Sequence, residues 1–314
     1  MRTAFLFPGQ GAQTVGMGTE IAHTFPAAAQ LFDKANTILG FDLSSICFEG
    51  PAEQLNTTTI SQPAIFVTSA AILEVLKTNP PTSHLRPDVT AGLSLGEYTA
   101  LYAAGVISFE DGLLLVHKRG QAMQRAADAT EGSMVSIIGL DEEQVAKLCA
   151  EASDGEILAP VNFNCPGQIV VSGSRQACTR AEDLAAKYGA IKAVRLDVAG
   201  AFHTKMMATV ANALKEALLN CQIAEPSDIK TIANINADYY QNAEKIIEGL
   251  TSQLTSPILW QKSMERLIAD GVENFYEIGP GRVLTGLMKR ISRKTRVVNI
   301  SSLQAINELL KVQV

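Results

Sequence analysis

Two rhythms of apolar and polar positions run through the chain. Short apolar runs closed by Gly, Pro, Asn or Asp read as buried strands, and longer stretches with apolar residues three or four apart read as helices. Strands are predicted at Thr3 to Phe7 and Val89 to Gly92, with helices from about Pro26 to Leu39, Gln62 to Lys77, Glu97 to Ala104 and Ser108 to Ala127. That alternation predicts a mainly parallel α/β sheet. The rhythm then changes: strand Ser133 to Leu140, helix Asp141 to Ala152, strands Ile157 to Asn162 and Gln168 to Ser172, helix Ser174 to Tyr188, strand Ile191 to Val198. The order βαββαβ is the ferredoxin-like split unit, so a small domain is expected at 128–198, inserted between 1–127 and 199–314 of a larger one. In the closing part, a helix from about Thr204 to Leu219 precedes a strand at Thr231 to Ile235. Helices near Asn242 to Leu254 and on to Ala269, strands Val272 to Ile278 and Val297 to Ile300, and a final helix complete the pattern.

Composition narrows what this scaffold can be. At 314 residues and 47% hydrophobic, the chain can bury a large core without staples. Its five cysteines are odd in number and contain no C-x-x-C, so neither a disulfide framework nor a metal site is predicted. The first apolar run is too short for a signal peptide, and no stretch reads as a membrane span. A soluble, cytoplasmic protein is expected. A net charge of −6 argues against nucleic-acid binding. The exception is Lys289 to Arg296, where five of eight residues are basic; it reads either as a solvated helix end or as a landing site for an anionic partner.

Three glycine-rich turns follow strands. Pro8-Gly9-Gln10-Gly11-Ala12-Gln13 fits neither the dinucleotide fingerprint nor the P-loop, and Gly279-Pro280-Gly281 is a second tight turn. In the third, Gly92-Leu93-Ser94-Leu95-Gly96, the glycines flank Ser94 at i−2 and i+2, which is the spacing of a nucleophile elbow. Such a turn holds the hydroxyl at a helix N-terminus beside free backbone N–H groups. The alternative is an N-cap serine with packing glycines. A serine nucleophile needs a base, and only His23, His84, His117 and His203 are available. His203 stands in a small-residue turn at a helix start and is the candidate; a purely structural role remains the other reading. Lys118 and Arg119 are adjacent on a helix and cannot face the same way, so one of them can point inward.

These pieces, in this order, resemble the malonyl-CoA:acyl carrier protein transacylase family, the acyltransferases of fatty-acid and polyketide synthesis. Beyond the three turns, the matching residues are Gln62-Pro63-Ala64, Gly96-Glu97-Tyr98, Arg119-Gly120, Pro160 to Gln168, Gly200-Ala201-Phe202-His203, Gln253 with Pro257 and Trp260, and Glu277 to Gly281. The resemblance implies an α/β-hydrolase-like large domain interrupted by the ferredoxin-like one. It also implies Ser94 as nucleophile, His203 as base, Gln10 and Leu95 N–H groups as oxyanion hole, and Arg119 as carboxylate binder. Gln253 would orient the histidine through its main-chain carbonyl, and Asn162, Gln62 and Phe202 would meet substrate. No cofactor or metal is implied, since the phosphopantetheine belongs to the partner carrier protein, which could dock near Lys289 to Arg296. Leu93 departs from the family's usual histidine, which adds weight to a trans-acting polyketide enzyme. A serine esterase or acyl hydrolase, and a silent carrier-binding module, are the competing readings.

Overall fold

The computed structural model describes residues 1–311. Nine strands form two sheets among them. β1 (Arg2–Phe7), β2 (Val89–Gly92), β7 (Lys230–Thr231), β8 (Val272–Ile278) and β9 (Val297–Ile300) make one sheet in the order β7-β2-β1-β8-β9, and every pairing in it is parallel. β3 (Gly132–Ile138), β4 (Leu158–Cys165), β5 (Gln168–Ser174) and β6 (Lys192–Arg195) make the other, in the order β4-β5-β3-β6, with antiparallel pairings throughout.

Both faces of the parallel sheet are covered, which is why its strands read as continuous apolar runs. Along β1, Phe5 and Phe7 enter one core cluster while Ala4 and Leu6 enter another. The register pairs Phe7 with Gly92 and Leu6 with Glu277, so β1, β2 and β8 end together. The three glycine-rich turns therefore leave one edge of the sheet side by side.

The four-stranded sheet has its own core. Val135 and Ile137 of β3 face the helices Glu142–Ser153 and Arg175–Ala185, whereas Met134 points to the opposite side and joins the main cluster. Asp141 and Gln144 form the predicted capping box. Packing of Met134, Val161 and Val170 into the main cluster joins the units, and hydrogen bonds add to it. β4 bridges to the main fold through Phe163 N–H donating to the Ile258 carbonyl (3.0 Å) and Ile258 N–H donating to Val161 (2.7 Å). Arg290 donates to the Gln168 side chain (3.0 Å) and to the carbonyl of Pro166 (3.1 Å) in the β4–β5 turn.

Several expectations need correction. The helix predicted from Gln62 runs Thr58–Thr78 and carries Pro63 inside it, at the cost of one intrahelical hydrogen bond that the burial of the helix offsets. It is long and apolar enough to cross a membrane, contrary to the reading that no stretch was; 83% of its apolar window is buried inside the fold, and its composition is that of a central core helix. The strand predicted at Thr231 to Ile235 is cut to Lys230–Thr231, since Asn234 leaves the sheet to serve the turn at Ser94. The helix predicted from Thr204 begins with a 3-10 turn, Lys205–Met207, before the α-helix Ala208–Leu219. The short helices Thr19–Thr24, Leu43–Glu49 and Ala52–Leu55 were not anticipated, being too brief to show a period.

Candidate active site

Ser94 stands at the end of β2 with φ 52°, a left-handed conformation that costs a serine energy and persists only where its surroundings enforce it. The flanking glycines are required by space. A Cβ on Gly92 would lie 1.9 Å from the backbone of Gly96, and one on Gly96 would lie 2.2 Å from the Phe7 carbonyl. Asn234 locks the turn from behind: its Oδ1 accepts from Ser94 N–H (2.7 Å) and its Nδ2 donates to the Gly92 carbonyl (2.8 Å). The helix Gly96–Ala103 starts immediately after.

The Ser94 hydroxyl is 3.0 Å from His203 Nε2 and 3.0 Å from Arg119 Nη2. The proton positions follow from the partners. His203 Nδ1 is 2.7 Å from the Gln253 carbonyl, which can only accept, so Nδ1 carries the hydrogen of the neutral ring. Nε2 is then an acceptor aimed at the serine O–H, while the guanidinium donates to the serine oxygen. His203, itself at φ 62°, is 5% exposed. Burial, and secondarily the charge of Arg119, push its pKa down to about 4, against the pull of the Gln253 carbonyl. The imidazole is therefore neutral and able to take a proton at neutral pH.

Arg119 is the inward-facing member of its basic pair, 1% exposed, while Lys118 is exposed. Its Nη1 donates to Gln62 Oε1 and its Nη2 to Gln253 Oε1, each at 2.9 Å, and the guanidinium lies 5.7 Å from the Tyr98 ring centre. Burial lowers its pKa from the ordinary arginine value. All three partners are uncharged, and Nε has no acceptor among the described residues.

A cleft of about 410 Å³ opens over these groups, between the parallel sheet's edge and the four-stranded unit. Gln10, Leu93, Ser94, Arg119, Phe202 and His203 line it from one side, Met134, Asn162 and Leu196 from the other. Asn162 Oδ1 is buried with no partner among the described residues. The N–H groups of Gln10 and Leu95 likewise donate to no protein acceptor among them. Gln62 is fully buried behind Arg119 and does not reach the cleft, so any influence on a ligand passes through the guanidinium. Leu93, 9% exposed, packs with Ala4, Leu6 and Ala91. The basic run is exposed and away from the cleft lining, and Arg290 within it is engaged with the β4–β5 turn. Sequence reasoning missed Asn234 and gave no role to Glu97; the former was hidden inside an over-long strand, and the latter sat in a quoted motif with no visible partner.

Residues 4–310 match the acyl transferase domain. The malonyl CoA-acyl carrier protein transacylase of Bacillus subtilis (strain 168) is 44% identical over 306 residues, spanning 97% of this chain and 95% of that one. Among solved structures, an acyl carrier protein S-malonyltransferase from Vibrio cholerae superposes with TM-score 0.93 at 40% identity, covering 98% of this chain and 100% of its own. A malonyl-transacylase in complex with its type II PKS acyl-carrier protein gives TM-score 0.94 at 38% identity, covering 99% and 100%.

Proposed function

The chain belongs to the acyl transferase domain family, and from that premise we propose that it moves malonyl groups from malonyl-CoA to the phosphopantetheine thiol of an acyl carrier protein, in fatty-acid or polyketide synthesis. The observation that carries this reading is the Ser94 hydroxyl held at 3.0 Å from both a neutral imidazole and a buried guanidinium. A base beside a serine serves any acyl transfer. An arginine buried at the same oxygen fits an acyl group whose far end is a carboxylate.

In the first half-reaction His203 Nε2 takes the Ser94 proton as Oγ attacks the thioester carbonyl. Collapse breaks the carbon–sulfur bond, and the proton passes from Nε2 to the departing coenzyme A sulfur. In the second half, the carrier thiol gives its proton to His203 and attacks the malonyl-serine ester, and Ser94 regains the proton. Developing negative charge on the carbonyl oxygen would be met by the unpaired N–H groups of Gln10 and Leu95. Arg119 would pair with the malonyl carboxylate, one methylene from the reacting carbon, which matches a guanidinium lying against the nucleophile. Asn162 and Phe202 would contact the acyl or pantetheine portion. The chemistry calls on no metal and no cofactor of the protein's own.

We further infer two domains. The elbow and the parallel sheet support a hydrolase-like domain at 1–127 and 199–314. The β4-β5-β3-β6 order with its separate core supports a ferredoxin-like domain at 128–198. A soluble, cytoplasmic setting is supported by thiols that are all unpaired among the described residues.

Incubation with malonyl-CoA followed by intact-mass measurement tests the reading. A persistent malonyl adduct that discharges on adding holo carrier protein, and that Ser94→Ala does not form, is expected. Transient acylation with steady release of malonic acid would instead make the protein a hydrolase.

A further inference from the structure

Glu97, the second residue of the helix after the elbow, is a fully buried carboxylate that serves no step described above. Its contacts are all to uncharged donors: Tyr240 Oη at 2.6 Å, Gln253 Nε2 at 2.6 Å and the Asn234 N–H at 3.3 Å. Burial alone would favour an apolar side chain at such a place. What distinguishes the position is where those donors lead.

The Gln253 amide has only one workable orientation. Its Nε2 donates to Glu97 Oε2 and to the Ser94 carbonyl (3.0 Å), while its Oε1 accepts from Arg119 Nη2. Turned over, it would set its oxygen against two acceptors and its NH₂ against the guanidinium. The main-chain carbonyl of the same residue receives His203 Nδ1–H. Asn234, held at its own N–H by Glu97, ties down Ser94 N–H and the Gly92 carbonyl. One carboxylate therefore touches both residues that fix the three groups around the nucleophile.

We propose that Glu97 is a positioning residue for acyl transfer: by fixing the Gln253 amide it holds the Arg119 guanidinium and the His203 ring in register with Ser94. The inference rests on the roles assigned above to those three residues. Glu97 touches no reacting atom and acts only through its neighbours. Its influence should be felt most by substrates that need Arg119.

Glu97→Met keeps the length of the side chain and removes both acceptors. Its kcat/KM for Ser94 acylation by malonyl-CoA should fall on the order of 10-fold or more, with a smaller fall for acetyl-CoA. Glu97→Gln should recover part of the loss, because an amide oxygen can still accept from Gln253. Introduced into Gln253→Ala, Glu97→Met should cost clearly less than it does alone, since the main path it acts through is gone and only the 3.3 Å contact to Asn234 remains. Losses that multiply in the double variant, or equal losses on both substrates, would overturn the proposal. If Glu97→Met does not fold, Tyr240→Phe removes a donor from the carboxylate's far side; a loss of roughly several-fold that vanishes in the Gln253→Ala background is expected, and persistence there would be contrary. Ser94→Ala and Arg119→Ala in the same assay separate the failures. If neither lowers malonylation, the site assignment fails; if both do and the Glu97 variants do not, this inference alone fails.

Discussion

Arg119→Ala distinguishes a malonyl-selective transferase from a generic serine acylase with one residue and two substrates. The guanidinium is 1% exposed and meets no carboxylate; its hydrogen-bond acceptors are Gln62, Gln253 and Ser94. A malonyl carboxylate arriving beside Ser94 would find donors already in place and shielded from water. Losing hydrogen bonds to a charged group in such a setting costs about 1.5–3 kcal/mol, or roughly 10- to 150-fold in kcat/KM. The substitution also leaves Gln62 Oε1 and Gln253 Oε1 without their donor, a penalty both substrates share. The ratio of malonyl to acetyl transfer is therefore the quantity to measure, by quenched-flow acylation and intact mass. Arg119 is one of the causes depressing His203, so its removal makes the base stronger for both substrates, and on the acetyl arm this gain is set against no lost carboxylate contact. Malonyl transfer should fall while acetyl transfer is spared or improves, and Arg119→Lys should restore only part, because a point charge lacks the planar fork. Equal losses on both substrates would show that Arg119 serves the fold, and the carboxylate assignment would be refuted.

Further outcomes follow from the same geometry. His203→Ala should slow acylation by about 10² to 10⁴; an unchanged rate would remove it as base. Because the free imidazole titrates at about 4 rather than 6.5, kcat/KM of Glu97→Gln, which removes the buried carboxyl that burial raises to about 7, should stay level as pH drops through 6.5 and fall only near 4, and a limb at 6.5 in that variant would contradict the burial argument. The same shift means that the unfolded chain takes up this proton between pH 6.5 and 4 while the folded chain does not, so His203 lowers stability as pH falls across that window. Phe202, 4% exposed and lining the cleft beside the base, should limit acyl bulk. Phe202→Ser should raise the methylmalonyl to malonyl ratio by no more than about 1–3 kcal/mol, and an unchanged ratio would return it to packing alone. Reversing Arg293 and Lys294, which are exposed, should raise KM for carrier protein and leave KM for malonyl-CoA nearly unchanged, with the effect fading at high salt. Equal effects on both would shift the patch to coenzyme A phosphates.

Sequence by itself determined the features that repeat over a few residues. The serine between glycines at i−2 and i+2, the capping box at Asp141 and Gln144, the inward turn of one of two adjacent cations and the βαββαβ order all follow from short periodicities. Each of those features is local, and local conformation obeys sterics and helix or strand period. The true length of the Thr58–Thr78 helix and the early end of β7 escaped that reasoning, because burial by distant elements decided them. The site itself belongs to the same category. Ser94 and Asn234 meet because the order β7-β2-β1-β8-β9 sets the ends of β2 and β7 side by side, while Arg119 comes from the helix Phe109–Asp128, Gln253 from the end of the helix Ala243–Gln253 and His203 from the turn before Lys205–Met207. Glu97 became intelligible only there, since a carboxylate's meaning lies in which donors surround it, and those donors are more than 130 residues away along the chain.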